Sequence, residues 1–579
     1  MPTAAPGDHF LPTVDPAVAG ADADGRAGRI TRRTFLAGAA ATPVALWLQG
    51  KVPAAAAERA ARYGAGPDAA CRLNHEVVLR IWRGWRSDRS GQVVVVPHGA
   101  NYMAGGISHS TPYPYTQNIP MFWYSPDPGL IQARPGPVTR PVTSADVAPT
   151  IAELIGFDFQ PADPGGTAMQ EALVSGAAAP KLVVVLVVDG GGRFVLNLWP
   201  DAWPFLKSLK PNGTWYDHAS VGSNPSNTAP IHATIGTGTF PMTHGVVDNE
   251  IRFPDGVLRD PYALGPEQAL LVDALADRYL AAVGTDAAIG MIGTVPWHLG
   301  MIGRGAAAGG PQPVVVMKDA PGNRGSESPD WGLFPSVQDF YRFPDYVNDL
   351  PPLSDYWGYA DKIDGRPDGT WRGHDIASLQ GGFHTPARLP YQERVVEEVI
   401  RQEGFGTHAS PDLLFLNFKL VDEAGHMFFA SGIEMRDAVL AQDHQLERLV
   451  TFLNKHVGSD WVLLFTADHG HTAAPPAAPS FPINEGKLNS LLRARFDTDH
   501  DGVPVVDLIR PIWLNLDTAE LRANGATLQD VSRFLAALTK GQTASEGVPL
   551  TATEASERVF DAVFAGSLLA TLPCLPEAH

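Results

Sequence analysis

At 579 residues the chain is long enough for two or three average domains, or for one large α/β enzyme with insertions. Its 43 Lys+Arg against 62 Asp+Glu give a formal charge of -19, which argues against a nucleic-acid-binding surface but says little about small anionic substrates, because a bound metal reverses the local field. The 58 glycines and 51 prolines are interleaved with apolar runs, which suits a loop-rich globular enzyme better than a disordered chain.

In chain order, the first feature is "ITRRTFLAGAAATPVALWLQGKVPAAAA". Arg32 and Arg33, then Phe35 and Leu36, an apolar stretch to Leu48 and the Ala54–Ala57 run resemble a twin-arginine export signal. The apolar stretch is too short to span a bilayer, and no other run of membrane length follows. Residues 1–57 are therefore set aside as signal. Residues 58–579 are read as one catalytic domain of a periplasmic or extracellular protein. Cys71 and Cys574 are the two cysteines. Two thiols so far apart cannot build a tetrahedral sulfur site. In an oxidising compartment they either pair and tie the termini together or remain as separate thiols.

Four continuous Val/Ile/Leu runs predict buried parallel strands: Gln92–Pro97, Lys181–Gly190, Asp412–Asp422 and Trp461–Gly470. The last three each end on a carboxylate, and ligand crevices of open α/β sheets lie beyond the carboxyl ends of the strands. Helices are expected over Ser144–Gly156, with a capping Ser, and over Glu434–Gly458, where His444 and His456 read as surface residues. Residues 253–406, rich in Gly, Pro and Trp, read as an insertion or cap over the site. The fold expected is α/β, a mostly parallel central sheet flanked by helices.

The chemistry-bearing residues cluster at those strand ends. "VVDGGG" carries Asp189, "VDEAGH" carries Asp422 and His426 four apart, and "TADHGHT" carries Asp468 next to His469. Mixed Asp/His ligation suits zinc and tolerates other divalent first-row metals. In "SNPSNTAPIHATIGTGTFPMTHGVVDNE", Thr228 precedes Ala229 and Pro230, and Pro suits the first turn of a helix. A hydroxyl there faces the free N–H groups of a helix start, a ready phosphate site, and a metal would ionise it. Taken alone, Thr228 reads better as an N-cap, and the surrounding motif reverses that preference.

Together these motifs, in this order, resemble the alkaline phosphatase superfamily, in the branch of type I phosphodiesterases, nucleotide pyrophosphatases and related alkaline phosphatases. The resemblance implies Thr228 as nucleophile and Asn249 on a phosphoryl oxygen. It implies one zinc on Asp189, Asp468, His469 and the Thr228 oxygen. A second zinc would sit on Asp422, His426 and a last His near the C-terminus. That His is missing from its usual place, since His500 lies in the polar turn "DTDHDG" and His579 is terminal. The module that normally carries it instead lies ahead of Asp189, as "SHSTPYPYTQNIPMFWY" followed by "TSADVAPTIAELIGFD". The chain thus resembles a circular permutant in which residues 92–173 supply the third His, His109, with the strand Gln92–Pro97 beside the ligand-bearing strands. Cys71 and Cys574 would flank the break, which strengthens the case for a disulfide. His98 is a poorly placed neighbour of His109, and His232 and His244 are expected to bond locally.

Two zincs about 4 Å apart hold the attacking and leaving oxygens of an in-line displacement, here by way of a phospho-threonine. Monoesterases of this branch add a Lys-x-Arg pair. Ile302-Gly303-Arg304 keeps only Arg304, and a dianion needs the second cation more than a diester does. A phosphodiesterase or nucleotide pyrophosphatase acting on a small phosphate ester is therefore preferred, with an alkaline phosphomonoesterase as the alternative. A sulfatase lacks its nucleophile motif here, and a non-catalytic metal- or phosphate-binding protein would be expected to have lost Thr228 or a ligand.

Overall fold

The seven residues Leu182–Val188 explain the architecture around them. Every side chain is buried, and alternate ones enter different cores: Val183, Val185 and Val187 one, Leu182, Val184, Leu186 and Val188 the other. A strand apolar on both faces belongs in the middle of a sheet covered by helices on both sides. At roughly 1.5–3 kcal/mol for each large apolar side chain removed from water, this strand alone anchors the domain.

The computed structural model describes residues 64–103, 109–305, 310–318, 331–472, 480–499 and 501–575. All fall in the compact unit Ala54–His579. The expected export signal, residues 1–57, lies outside the described residues, as do His500 and His579. Twelve strands matter here: β1 (Gly64–Ala65), β2 (Val93–Pro97), β3 (Met121–Tyr124), β4 (Leu182–Val188), β5 (Gly213–Trp215), β6 (Ile289–Gly293), β7 (Val314–Met317), β8 (Asp412–Phe418), β9 (Trp461–Thr466), β10 (Val506–Ile509), β11 (Trp513–Leu516) and β12 (Phe560–Ala565). The main helices are α1 (Thr228–Thr237), α2 (Arg388–Glu403), α3 (Leu420–Phe428), α4 (Ile433–His456) and α5 (Leu528–Ala536).

A seven-stranded sheet runs in the order β7-β6-β8-β4-β9-β3-β5. The first five strands are parallel, and β3 and β5 close one edge antiparallel. The α/β fold with a mostly parallel central sheet is as expected. A second, five-stranded sheet, β1-β12-β2-β11-β10, joins the two ends of the described chain. Among the described residues no helix is long and apolar enough to cross a membrane.

Three expectations need correction. The run Gln92–Pro97 does not lie beside the ligand-bearing strands: β2 pairs antiparallel with β11 and β12 in the second sheet. Its valines divide between two cores, Val93 and Val95 in one, Val94 and Val96 in the other. Burial on both faces, not parallel pairing, made the run continuously apolar. The strand that does lie against β9 is β3, from later in the same module. Residues 253–406 are more than a cap, because β6 and β7 are integral strands of the large sheet. Their brevity and the glycines of "IGMIG" hid them. The helix expected from Ser144 is a 3-10 turn, Ser144–Asp146, leading into Val147–Leu154, and Asp146 Oδ2 accepts from the Thr143 N–H at 2.6 Å.

Cys71 and Cys574 form a disulfide with Cα atoms 5.6 Å apart, beside β12 and among the side chains of the second sheet.

Candidate metal centre

Three neighbouring strands, β8, β4 and β9, deliver three carboxylates to one edge. Asp189 follows β4, its N–H donating to Phe418 O at 3.0 Å. Asp422 lies in the first turn of α3, immediately after β8. Asp468 follows β9 and accepts the Gly190 N–H at 3.0 Å. Gly190 has φ +72°, and a Cβ there would lie 2.5 Å from His471 Nε2, so backbone must pass where a side chain cannot fit.

Around them stand four imidazoles. His469 Nε2 lies 3.5 Å from Asp189 Oδ1, 3.4 Å from Asp468 Oδ2 and 3.9 Å from Asp422 Oδ1. His426 Nε2 and His471 Nε2 each lie 3.3 Å from Asp422 Oδ1. His109 Nε2 lies 3.7 Å from the same oxygen, and its ring stacks on that of His469 with centroids 3.5 Å apart. His109 donates from Nδ1 to Ser226 O at 3.0 Å, while Ser226 Oγ donates to His109 O at 2.7 Å. That pairing fixes the tautomer whose Nε2 lone pair faces the carboxylate, the usual outer arrangement of a metal-binding His.

The donor set fits divalent cations. Asp189 Oδ1, Asp422 Oδ1, Asp468 Oδ2 and His469 Nε2 are buried without a hydrogen-bond partner, as are both ring nitrogens of His471, and buried polar atoms are costly in that state. Ligand atoms of a tetrahedral ion with bonds of about 2.0–2.1 Å lie about 3.3 Å apart, close to the separations here. Asp189, Asp468 and His469 form one group within ligating reach, and His109, Asp422 and His469 another. A third group, Asp189, His232 and His298, is a poorer candidate. His232 spends Nδ1 on Thr228 O at 2.7 Å and Nε2 on the Asn417 amide at 2.9 Å.

The electrostatics agree. Burial pushes Asp468 well above the usual carboxylate range, and the nearby Asp189 adds to it. Burial is the strongest influence on Asp422 and Asp189 and opposes their ionisation, but the Lys419 ammonium and the neighbouring histidines together outweigh it and hold both below that range. Burial depresses His469 to about 4 and lowers His471 and His109, so these rings are neutral and keep a lone pair at neutral pH.

The nucleophile candidate lies alongside. Asn227 is the N-cap of α1 and Thr228 its first residue, 1 % exposed; Thr228 is therefore not the cap itself. The His232 ring, whose Nδ1 donates to Thr228 O, reaches within 3.8 Å of Asp468 Oδ2, setting the helix start against the carboxylates. Asn249 Oδ1 accepts the Ala229 N–H at 2.9 Å. Asp248 accepts from the Asn249 N–H at 2.7 Å, from the Asn227 amide at 2.5 Å and from Trp513 Nε1 at 3.2 Å, so the second sheet braces this turn. His244 bonds locally, as expected, to Thr234 and Val246. His98 bonds Asp561 of β12 instead.

Arg304 is not brought to the cluster. Its Nη1 turns to Asp273 at 3.4 Å, while its backbone N–H bonds Asp277. The cation that does reach the carboxylates is Lys419, which the sequence reading passed over because it lies inside the apolar run Asp412–Asp422 read as a strand. His471 was also missed. The second His of "TADHGH" was a signal for it, as was Gly425, where a Cβ would lie 2.3 Å from the His471 ring.

The chain is similar to alkaline phosphatase PhoV of Synechococcus elongatus (strain ATCC 33912 / PCC 7942 / FACHB-805), 25% identical over 349 residues, 52% of this chain and 60% of that protein. It is similar to alkaline phosphatase PhoK of Sphingomonas sp, 25% identical over 324 residues, 51% of this chain and 56% of that one. The chain thus spans less than two thirds of the length of either relative. Among solved structures, alkaline phosphatase PafA aligns with a TM-score of 0.46 at 18% identity, over 62% of this chain and 76% of that chain. The sequence pattern described as "Type I phosphodiesterase / nucleotide pyrophosphatase" matches residues 183–561, well over half of the chain. The chain belongs to the type I phosphodiesterase / nucleotide pyrophosphatase family, within the alkaline phosphatase superfamily that its motifs resemble.

Proposed function

We propose that the protein is an exported, zinc-dependent phosphoesterase that cleaves phosphodiester or nucleotide pyrophosphate bonds, with Thr228 as nucleophile. The observation that carries this reading is the set of unpaired, buried donor atoms on Asp189, Asp422, Asp468 and His469 beside the start of α1. Asp189, Asp468, His469 and Thr228 would hold one cation, and Asp422, His426 and His109 the other. When bound, divalent cations supply Lewis acidity toward the oxygens of the ester and of the nucleophile.

The chain's own residues do the rest. At the first position of α1, Thr228 sits at the positive end of the helix, which favours a phosphoryl group. Asn249 commits its carbonyl oxygen to the Ala229 N–H, which leaves its amide NH2 to donate to a phosphoryl oxygen. Ser226 and Asn227 hold the His109 loop to the nucleophile turn. Attack by the Thr228 oxygen on phosphorus breaks the P–O bond of the ester, releases the leaving alcohol or nucleotide with the threonine proton, and gives a phospho-threonine. Water then breaks the P–O bond to Thr228, which frees phosphate or its monoester and restores the hydroxyl.

We read the order of segments as a circular permutation. The approach of His109 to Asp422 supports it, as does a family match that begins only at residue 183. The Cys71–Cys574 disulfide supports an oxidising compartment, and with it the export signal read in residues 1–57.

Diester preference rests on Arg304 facing Asp273, which leaves a monoester dianion without that cation. A second reading, alkaline phosphomonoesterase at the same site, is favoured by the similarity to PhoV and PhoK. The test is hydrolysis of bis-p-nitrophenyl phosphate against p-nitrophenyl phosphate with zinc added. Faster diester cleavage, lost by about 10⁴-fold or more in Thr228→Ala, is expected. Faster monoester cleavage would install the second reading. Undiminished activity in Thr228→Ala would remove Thr228 from the mechanism.

A further inference from the structure

The Lys419 side chain ties the two halves of the centre together. Its Nζ donates to Asp422 Oδ2 at 2.6 Å and lies 3.2 Å from Asp189 Oδ2. The residue is 7 % exposed. Backbone register explains how one side chain reaches both. β8 and β4 are parallel neighbours with Phe418 opposite Val188, so Lys419 emerges beside Asp189. The chain then turns into α3, which brings Asp422 back over it three residues later.

The contacts divide each carboxylate into two oxygens with different duties. Asp189 Oδ2 faces Lys419, the Asn417 amide at 3.2 Å and His298 Nε2 at 3.4 Å. Asp422 Oδ2 faces Lys419. The Oδ1 atoms of both are buried without a hydrogen-bond partner and look toward the imidazoles. An ammonium that touches only the outer oxygens orients the inner ones.

We propose that Lys419 is the positioning residue shared by both halves of the metal centre. It holds Asp189 and Asp422 turned with Oδ1 toward the ligand histidines before any cation arrives, and so couples the two affinities. Asn417 serves Asp189 alone among these two. The ammonium also repels an incoming cation. Positioning prevails because the charge sits on the far oxygens and because Lys419 cancels part of the repulsion between the two buried carboxylates it touches.

This inference rests on the reading that the cluster holds cations. The experiment is a Co²⁺ titration of the full chain stripped with a chelator, followed by visible absorption and by metal content after dialysis. Wild type is expected to take up two equivalents; if it takes up none, the metal reading itself fails. In Lys419→Met both equivalents are expected to weaken together by about 10–100-fold, the usual effect of removing an outer partner, with a changed cobalt spectrum. In Asn417→Ala one equivalent is expected to weaken and the other to hold. Wild-type or tighter binding in Lys419→Met would mean that the ammonium only repels cations, and would overturn the proposal. Loss of a single equivalent there would overturn the shared role. If Lys419→Met does not fold, an Asn417→Ala protein with both affinities intact would overturn it, because outer-oxygen positioning would then not set affinity.

Discussion

The two sheets of this molecule settle the same problem, strands buried on both faces, in opposite ways. At the carboxyl edge of the seven-stranded sheet, buried carboxylates and imidazoles crowd together with donor atoms left unpaired. In the five-stranded sheet the strands pass between two apolar cores, and a covalent bond closes it across 503 residues of sequence. One region holds its energy in reserve for a ligand, and the other spends all of it on folding. The difference shows that stability and chemistry are separated in space, with the Trp513–Asp248 contact as a bridge between them.

Four experiments press on that contrast. Stripping divalent cations is expected to lower stability most. A bound cation at a thousandfold its Kd contributes about 4 kcal/mol, and without it the ionised Asp189 and Asp422 repel each other. Calorimetry with and without a chelator measures the change, and an unchanged melting midpoint would mean the cluster is neutral to cations.

Breaking the disulfide is next. Cys71→Ser is expected to cost about 2–4 kcal/mol of unfolding free energy while leaving metal content per folded molecule untouched. Loss of metal along with stability would show that the two sheets are not independent.

Acidity should act on the first region. Asp468 is held well above the usual carboxylate range by burial and Asp189, so in the cation-free protein it keeps a proton that must leave on binding. Affinity is then expected to fall as the pH drops, by about tenfold per unit for each proton released. Calorimetry in buffers of different ionisation enthalpy counts that proton, and a count of zero would contradict the assignment.

Smallest is the bridge. Trp513→Phe removes one hydrogen bond to Asp248 and is expected to cost about 1 kcal/mol. Because Asp248 also holds Asn227 and Asn249, turnover should drop with little change in metal content. Equal turnover in both proteins would mean that the second sheet does not support the nucleophile turn.

How much of this was legible beforehand varied with the physics of each element. Asp189, Asp422 and Asp468 were readable because each follows a long apolar run, and a strand buried on both faces leaves its end at the crevice. His109 was readable through its module, though not through the strand first assigned beside the site. The run Gln92–Pro97 misled because a central antiparallel strand between two cores has the same composition as a parallel one. The Ile289–Gly293 and Val314–Met317 strands were too short and too rich in glycine neighbours to stand out from the segment around them. Lys419 was not legible, since one lysine after a strand carries no pattern of its own, while His471 left a single trace, the second His of its motif.

The sequence by itself determined the family, the three strand-end carboxylates and the candidate nucleophile, and left the pairing of the two distant cysteines open. These follow from local spacing and from apolar runs, which chain chemistry fixes before folding. Tertiary structure alone decided that Arg304 turns away, that Lys419 grips both carboxylates, and that the chain ends build a second sheet bracing the nucleophile turn. Those facts depend on strand register and on which buried atoms find a partner, and both are properties of neighbours hundreds of residues apart.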